Sequence, residues 1–130
     1  MVIPTHDRCA ALARVLGALE RQRDAPPFEV IVVDDGSSDG TREWLARATF
    51  GIPVQSASQP NHGPASARNR GIERATGRIV AFLGDDTEPD PDWVAAHAAA
   101  GRRGFELIGY RNCPEVYVGC GFAAWRVDAG

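Results

Sequence analysis

Two pairs of adjacent aspartates are the residues of this chain best suited to chemistry. Asp34 and Asp35 follow the β-branched run VIVV, and Asp85 and Asp86 follow the run RIVAFL and a glycine. Carboxylates accept hydrogen bonds from a base or a ribose, and they ligate hard divalent ions such as Mg²⁺ and Mn²⁺. Both runs are typical of buried strands, and open α/β sheets bind ligands beyond the carboxyl ends of their strands. The two pairs therefore predict a nucleotide and metal site at one edge of a parallel sheet.

Each of these acids also has a purely structural interpretation, as a helix cap or as a solvated turn residue. For Asp39 and Asp90 we favour that structural interpretation. For Asp85 and Asp86 the position directly after a strand favours a function. Asp34 is consistent with either interpretation, because it could serve only to orient the glycine loop that follows it.

Arg68 is a candidate cation for the same edge. It lies early in the helix predicted after residue 63, where it could offset the charge of a diphosphate. Spacing alone fits a solvated arginine on the helix face equally well. The three histidines are isolated in the sequence and are interpreted as surface or loop residues, whereas Trp44 and Trp93 are interpreted as core residues.

The alternation of strand and helix patterns predicts an α/β fold, a three-layer sandwich with a mostly parallel sheet and helices on both faces. The predicted strands cover residues 2–5, 28–33, 54–56 and 78–83 of one sheet, in which the first strand lies between the second and the fourth. Helices are predicted over residues 10–22, 39–48, 64–76 and 93–100, and Asp7 is the expected N-cap of the first. After residue 101 the pattern weakens, although residues 105–110 and 117–123 could form strands.

The composition excludes several classes of protein. A chain of 130 residues is long enough for one domain with its own core. The formal charge of −3 argues against general nucleic-acid binding, which usually needs a basic surface. No apolar run approaches the roughly 20 residues of a membrane helix, and the polar residues after Pro4 predict no signal peptide. Three irregularly spaced cysteines favour a reduced setting, so we expect a cytoplasmic location, which includes the cytosolic face of a membrane.

Four segments carry a pattern that resembles the family 2 glycosyltransferases, which have the GT-A fold. They read VIPTHDR at residues 2–8, FEVIVVDDGSSDGT at residues 28–41, NHGPASARNRGIERATGRIVAFLGDD at residues 61–86 and PDPDWV at residues 89–94. The first two segments and the run ARNRG are each specific, and their order and spacing argue against a chance match. A weaker similarity, VGCGFAAWR at residues 118–126, looks like a later glycine-rich strand on the acceptor side of the family.

The resemblance implies transfer of a sugar, with inversion, from a nucleotide-diphosphate sugar to an acceptor hydroxyl. The expected donor is a UDP-sugar, and the acceptor is a saccharide, a lipid-linked molecule or a protein. The resemblance also implies that Thr5 and Asp35 contact the nucleoside base, that Asp85 lies by the ribose and that Arg68 lies near the nucleotide. Asp86 would ligate the Mn²⁺ or Mg²⁺ ion on the diphosphate.

Three departures from the family pattern bear on the acceptor side and on the metal motif. Gly84 stands where many relatives carry another acid, which leaves two acids in the metal motif. The stretch between residues 99 and 118 is much shorter than in the family. Neither Glu115 nor Asp128 matches the acidic motif that carries the catalytic base, so the general base is not assigned. The resemblance predicts one GT-A-like domain over residues 1–130, with a nucleotide-sugar-binding part at 1–100 and a remnant of the acceptor-binding part at 101–130.

Two other classes of protein compete with a glycosyltransferase. A nucleotide-sugar or metal-binding module without turnover would share the donor site and lack the base. A phospho-acceptor signalling domain would share the run VVDDG, but it needs an acid near residues 55–58, where the sequence has none. We therefore set the signalling class aside and keep the binding module as the alternative.

Overall fold

The computed structural model describes residues 1–102 and residues 123–125, and strands and helices alternate within these ranges. In chain order they are β1 (Val2–Thr5), α1 (Cys9–Glu20), β2 (Val30–Asp35), α2 (Thr41–Arg47), β3 (Val54–Gln59), α3 (Pro64–Arg74), β4 (Ile79–Ala81), α4 (Trp93–Arg102) and β5 (Ala123–Trp125). None of the helices described is both long and apolar enough to cross a membrane. The predicted strand at residues 105–110, and most of the one at 117–123, lie outside the described residues.

The first three strands form a parallel sheet in the order β1–β2–β3. Every residue of β2 is buried, as expected for a central strand that is covered on both faces. Successive side chains of β1 and β2 alternate between two apolar clusters, one with Ile3, Val30 and Val32 and the other with Val2, Ile31 and Val33. The first cluster includes residues of α1, α2 and α4, and the second includes residues of α3. Helices therefore cover both faces, which confirms the predicted three-layer α/β sandwich.

The largest apolar face belongs to α1. Its large buried side chains recur at spacings of three and four residues, which places them on one side of the helix. They are Leu12, Val15, Leu16 and Leu19. Trp93 at the start of α4 joins the same cluster and is a core residue as predicted. Trp44 of α2 is only partly buried, and its ring meets that of Phe50 edge-on at 5.8 Å.

The fourth strand differs from the prediction. β4 pairs antiparallel with β5, and only an isolated parallel bridge between Val2 and Phe82 joins this part of the chain to β1. A hydrogen bond from Leu83 N to Val2 O, at 3.1 Å, accompanies that bridge. The predicted proximity of the first and fourth strands is confirmed, but the predicted continuous four-stranded ladder is wrong. The extended run ends too early for a ladder, because the chain turns at Gly84, whose carbonyl accepts a hydrogen bond from Thr87 N.

Two strands extend further than their apolar patterns indicate. β2 and β3 end at Asp35 and Gln59, because the parallel ladder pairs Asp34 with Ser58 and Asp35 with Gln59. The apolar pattern of β2 stops two residues earlier, but a backbone ladder continues wherever polar side chains find partners. Asp34 and Asp35 therefore belong to the strand itself and not to the loop after it.

The first two helices begin differently from the prediction. The N-cap of α1 is Arg8 and not Asp7, whose φ of 50° places it in the left-handed region. α2 begins at Thr41, two residues later than predicted, because Gly40 occupies the N-cap position with a φ of 90°. Neither Arg8 nor Gly40 has a side-chain acceptor that could cap its helix, and no side-chain cap is present at these positions. The first amides of both helices find their acceptor elsewhere, as the site described below shows.

The start of α4 is held by the side chain of Gln22, which follows α1 in the sequence. Gln22 Oε1 accepts a hydrogen bond from Val94 N at 2.8 Å, and Gln22 Nε2 donates to Asp90 O at 2.7 Å. Asp90 O also accepts a bond from Trp93 N at 3.0 Å. Asp90 thus has the structural role expected for it, although it acts through its backbone carbonyl.

Candidate nucleotide and metal site

The loops after β1 and β2 are fastened to each other. Asp7 N donates to Ser37 Oγ at 2.9 Å, and Asp7 Oδ1 accepts from Ser38 N at 2.6 Å. Cys9 N, the first amide of α1, donates to Asp39 Oδ2 at 3.0 Å. The other oxygen of Asp39 accepts from the first amide of α2, also at 3.0 Å. Asp39 therefore satisfies two helix ends, which confirms its structural interpretation and fixes this edge of the sheet.

Asp35 is buried and bound to the turn that precedes α3. Its Oδ1 accepts hydrogen bonds from Gln59 Nε2 at 2.8 Å and from His62 N at 2.9 Å, and its Oδ2 accepts one from Gly63 N at 2.9 Å. Burial raises the pKa of Asp35, but the hydrogen bonds outweigh burial and hold the pKa below its usual value. A carboxylate offers about four lone-pair sites, so these three bonds leave one for a further donor.

The turn before α3 passes so close to the residue directly after β2 that this residue must be glycine. Gly36 has a φ of 78°, and a Cβ at this position would lie 2.8 Å from Asn61 N. Glycine alone adopts this conformation without strain and leaves the space free. Asp34 Oδ1 accepts a hydrogen bond from Ser37 N at 3.1 Å, and so has the orienting role that was one of its two interpretations. The glycine thus allows the amides before α3 to reach Asp35.

Thr5 and Asp85 meet although they are 80 positions apart in the sequence. The Thr5 hydroxyl donates to Asp85 Oδ2 at 2.9 Å, and both residues are buried. Each residue lies three positions after a partner of the parallel bridge between Val2 and Phe82. The bridge holds the two segments side by side, so the residues that follow it on each segment meet at the same edge of the sheet.

The side chain of Arg8 lies between the two carboxylates of the second acid pair. Its Nη1 is 2.6 Å from Asp86 Oδ2 and 3.6 Å from Asp85 Oδ1. The side chain of Asp85 is 12% exposed and that of Asp86 is 30% exposed, whereas that of Arg8 is 53% exposed. One nitrogen atom therefore places a positive charge against both carboxylates at the surface of the edge.

Arg68 lies in the second turn of α3 and is partly buried. Its Nε is buried and has no hydrogen-bond partner among the described residues, and the same holds for Arg70 Nε. A buried donor without a partner costs free energy, which an oxygen of a bound nucleotide would offset. Arg70 also borders a polar cleft of about 450 Å³ beside α3, which includes Gln59 and His62 but none of the residues around the second acid pair.

The second acid pair suits a hard divalent ion. Mg²⁺ takes one or two carboxylates together with substrate phosphates and water, and Asp85 and Asp86 supply two carboxylates at one place. The position of Arg8 shows that this place accepts a positive charge. Within residues 1–102, no group of three or more His, Cys, Asp and Glu side chains is arranged to hold an ion. The two carboxylates alone cannot complete an octahedral shell, so they fit an ion that is carried by a diphosphate.

Sequence reasoning missed the contact of Arg8 and the donors around Asp35. Arg8 is 78 positions from Asp86, and no local pattern connects residues so far apart. The signal that could have found it is placement, since His6, Asp7 and Arg8 directly follow β1 at the edge expected for both acid pairs. The donors around Asp35 are mostly backbone amides, which leave no mark on residue type.

Known proteins are similar to this chain over most of its length. A family model described as Glycosyl transferase family 2 matches residues 1–109. Validoxylamine A glucosyltransferase of Streptomyces hygroscopicus subsp. limoneus is 42% identical over 105 residues, which cover 75% of this chain and 23% of that protein. The first curated relatives are thus matched over only 23% and 25% of their own lengths.

Two solved structures show the same arrangement of strands and helices. S. aureus TarS in complex with UDP-GlcNAc superposes with a TM-score of 0.70 and 27% identity, over 78% of this chain and 30% of that chain. The mannosyltransferase PcManGT from Pyrobaculum calidifontis, in complex with GDP-Man and Mn²⁺, superposes with a TM-score of 0.64 and 30% identity, over 72% of this chain and 29% of that chain. These neighbours hold nucleotide-diphosphate sugars, one of them with a divalent metal ion.

Proposed function

Since the chain belongs to glycosyl transferase family 2 and has its GT-A fold, we propose that it binds a nucleotide-diphosphate sugar and takes part in the transfer of that sugar to an acceptor hydroxyl. The proposed site consists of Thr5, Arg8, Asp35, Asp85 and Asp86, which we call the strand-end site. It lies at the carboxyl ends of β1 and β2 and at the turn after β4. The acceptor, a saccharide, a lipid-linked molecule or a protein, is part of the same proposal.

One observation carries this proposal. Thr5 is 80 positions from Asp85 and Arg8 is 78 positions from Asp86, yet the polar atoms of these four residues form one connected cluster. Placing a mostly buried carboxylate beside a second one has a free-energy cost from desolvation and from repulsion. A bound ion and a bound nucleotide would offset that cost, whereas stability alone would favour apolar residues.

Proposed roles fall to four residues of the strand-end site and to Arg68 of α3. Asp35 accepts a hydrogen bond from the base through the lone pair that its internal partners leave, and Thr5 lies beside the base. Asp85 accepts a hydrogen bond from the ribose, and Asp86 ligates Mn²⁺ or Mg²⁺ on the diphosphate. Arg68, whose Nε lacks a partner within residues 1–102, donates to the nucleotide.

The chemistry of sugar transfer fits these roles. When the bond between the sugar and the diphosphate breaks, negative charge develops on the leaving oxygen, and a divalent ion held by Asp86 would supply the positive charge that stabilises it. Asp35 and Asp85 hold the nucleoside in place. The acceptor hydroxyl must also lose a proton, and an attack from the face opposite the diphosphate inverts the anomeric carbon. We propose residues 1–100 as the donor-binding part of a single domain and residues 101–130 as acceptor-side residues.

The proposal is tested by calorimetric titration of the chain with UDP-glucose, UDP, GDP and uridine, in Mn²⁺ and in EDTA. We expect UDP and UDP-glucose to bind in Mn²⁺ and to bind more weakly in EDTA. Uridine, which lacks the diphosphate, should bind equally in both conditions. The proposal fails if no nucleoside diphosphate binds. Release of UDP from UDP-glucose then separates an enzyme from a binding module, since the module would bind the donor without turnover.

A further inference from the structure

We propose that Arg8 is a positioning residue that couples the binding of the metal ion to the binding of the nucleotide. Its guanidinium holds the place between Asp85 and Asp86 until a divalent ion takes that place, and it then moves to the diphosphate. The inference rests on the proposed function, because it assigns a role to one residue of the strand-end site.

The geometry puts Arg8 in competition with an ion. Nη1 lies 2.6 Å from Asp86 Oδ2 and also reaches Asp85 Oδ1 at 3.6 Å. Mg²⁺ binds carboxylate oxygens at about 2.0–2.1 Å, so an ion on Asp86 Oδ2 would lie close to Nη1, where the two positive charges repel each other. The ion and the guanidinium therefore compete for the two carboxylates.

The formal charges of the three side chains also set Arg8 in competition with the ion. Asp85, Asp86 and Arg8 together carry a formal charge of −1, which attracts a divalent ion much less than the −2 of the carboxylates alone. A nucleoside diphosphate brings its own negative charge and phosphate oxygens that a guanidinium can bind in pairs. Arg8 then has a second partner close by, so the ion no longer has to compete with it. Metal binding without the nucleotide is weak for this reason, and each ligand strengthens binding of the other.

The backbone on both sides of Arg8 is held by hydrogen bonds, so its side chain can move while the backbone stays in place. The amide of Asp7 is bound to Ser37 Oγ, and the amide of Cys9 is bound to Asp39 Oδ2. Both neighbours of Arg8 are thus fixed to the loop after β2, while its own side chain is 53% exposed. A rotation about side-chain bonds moves the guanidinium without a change in the loop.

The test compares Arg8→Gln with Arg14→Gln. Arg14 is the matched control, because it lies in α1, the helix that follows Arg8, and pairs with an exposed acid, Glu88, at 3.2 Å. Mn²⁺ binding is measured by electron paramagnetic resonance, first without and then with UDP. Arg8→Gln should bind Mn²⁺ alone roughly two- to tenfold more tightly than the parent, the range expected for loss of one or two partly exposed charge pairs. Its gain in Mn²⁺ affinity from UDP should be smaller than that of the parent, and Arg14→Gln should match the parent in both arms.

A third variant separates charge from folding. Arg8→Lys keeps a cation at the site, so it should retain weak binding of Mn²⁺ alone, and melting curves monitor the fold of all variants. The inference is overturned if Arg8→Gln binds Mn²⁺ alone no more tightly than the parent, or if Arg14→Gln shows the same change. The metal-only arm uses no nucleotide, so it decides the role of Arg8 even if the parent fails to bind UDP and the proposed function falls.

Discussion

At the scale of single residues, Asp35 connects the end of β2 to the turn before α3. Its two oxygens accept three hydrogen bonds, two of them from the backbone amides of His62 and Gly63. A carboxylate can accept at every lone pair, whereas an amide side chain presents donors on one side. Asp35 therefore has a structural role, which is to hold the turn before α3, in addition to its proposed contact with the base.

Replacing Asp35 by Asn should lower the free energy of unfolding by about 1–3 kcal/mol, because an amide NH₂ would face the donors of the turn and leave buried groups unpaired. Urea unfolding followed by circular dichroism measures the change. Asp90→Asn is the control, since it removes the same charge from an exposed side chain. Equal stability of the two variants would contradict the structural role of Asp35.

At the scale of elements, α3 lies so close to β1 that one helical position must be glycine. A Cβ on Gly71 would stand 2.2 Å from Val2 Cγ1 and 3.0 Å from Val2 Cγ2. Val2 is completely buried and also bridges to Phe82, so it has little freedom to move aside. The packing of α3 against β1 thus supports the alignment that brings Thr5 to Asp85.

Gly71→Ala should destabilise the protein by about 1–3 kcal/mol through overpacking, against the usual preference of helices for alanine. Gly17→Ala is the matched helical control. A Cβ at Gly17 would meet only the end of the flexible Arg21 side chain, at 3.4 Å, so alanine should stabilise α1 by about 0.5–1 kcal/mol. Thermal unfolding of both variants gives the signs, and a stabilising Gly71→Ala would refute the close packing of α3 on β1.

How far the sequence predicts these elements depends on the range of the contacts that define them. The run Val30–Val33 marks β2 because a strand buried on both faces is apolar throughout. The end of β2 and the second half of β3 were missed, since Ala57, Ser58 and Gln59 carry no apolar alternation and continue the ladder with β2. The antiparallel partner of β4 was missed for the same reason, because that pairing joins residues more than forty positions apart.

At the scale of the whole molecule, ionised carboxylates connect segments that are distant in sequence. The pKa of Glu29 is held low by hydrogen bonds from Thr76, and that of Asp39 by hydrogen bonds from Thr41 and from the first amide of α1. The pKa of Asp35 is also low, because its hydrogen bonds outweigh its burial. In the unfolded chain such groups take up protons near pH 4, whereas in the folded chain they do so only at lower pH.

The free energy of unfolding should therefore be independent of these groups well above about pH 5 and should fall as the pH drops through their folded pKa values. Urea midpoints measured from neutral pH down to about pH 3 test this. Asp35→Asn should show a shallower loss than the parent, because one of the linked protonations is gone. A parent whose stability rises on acidification in this range would show that the signs are reversed.

The strand-end site shows the same division between local and distant information. The acid pairs are predicted because each follows an apolar run. The structure brings Thr5 and Asp85 together because each lies three residues after a partner of the bridge between Val2 and Phe82. Arg8 was not assigned to the site, because only the fold places a residue of the first loop against acids near position 85. The order of strands, and not any pattern within one of them, determines that contact.

The strand-end site is tested most directly by a titration of UDP, with and without Mn²⁺, into the parent, Asp86→Asn and Asp85→Asn. Asp86→Asn should lose the gain in UDP affinity that Mn²⁺ gives the parent, while its fold is retained because the residue lies in a turn. Asp85→Asn should bind UDP more weakly, by about 1–3 kcal/mol, and keep its dependence on Mn²⁺. If Asp86→Asn keeps the full gain from Mn²⁺, Asp86 does not hold the metal ion and the proposed strand-end site is contradicted.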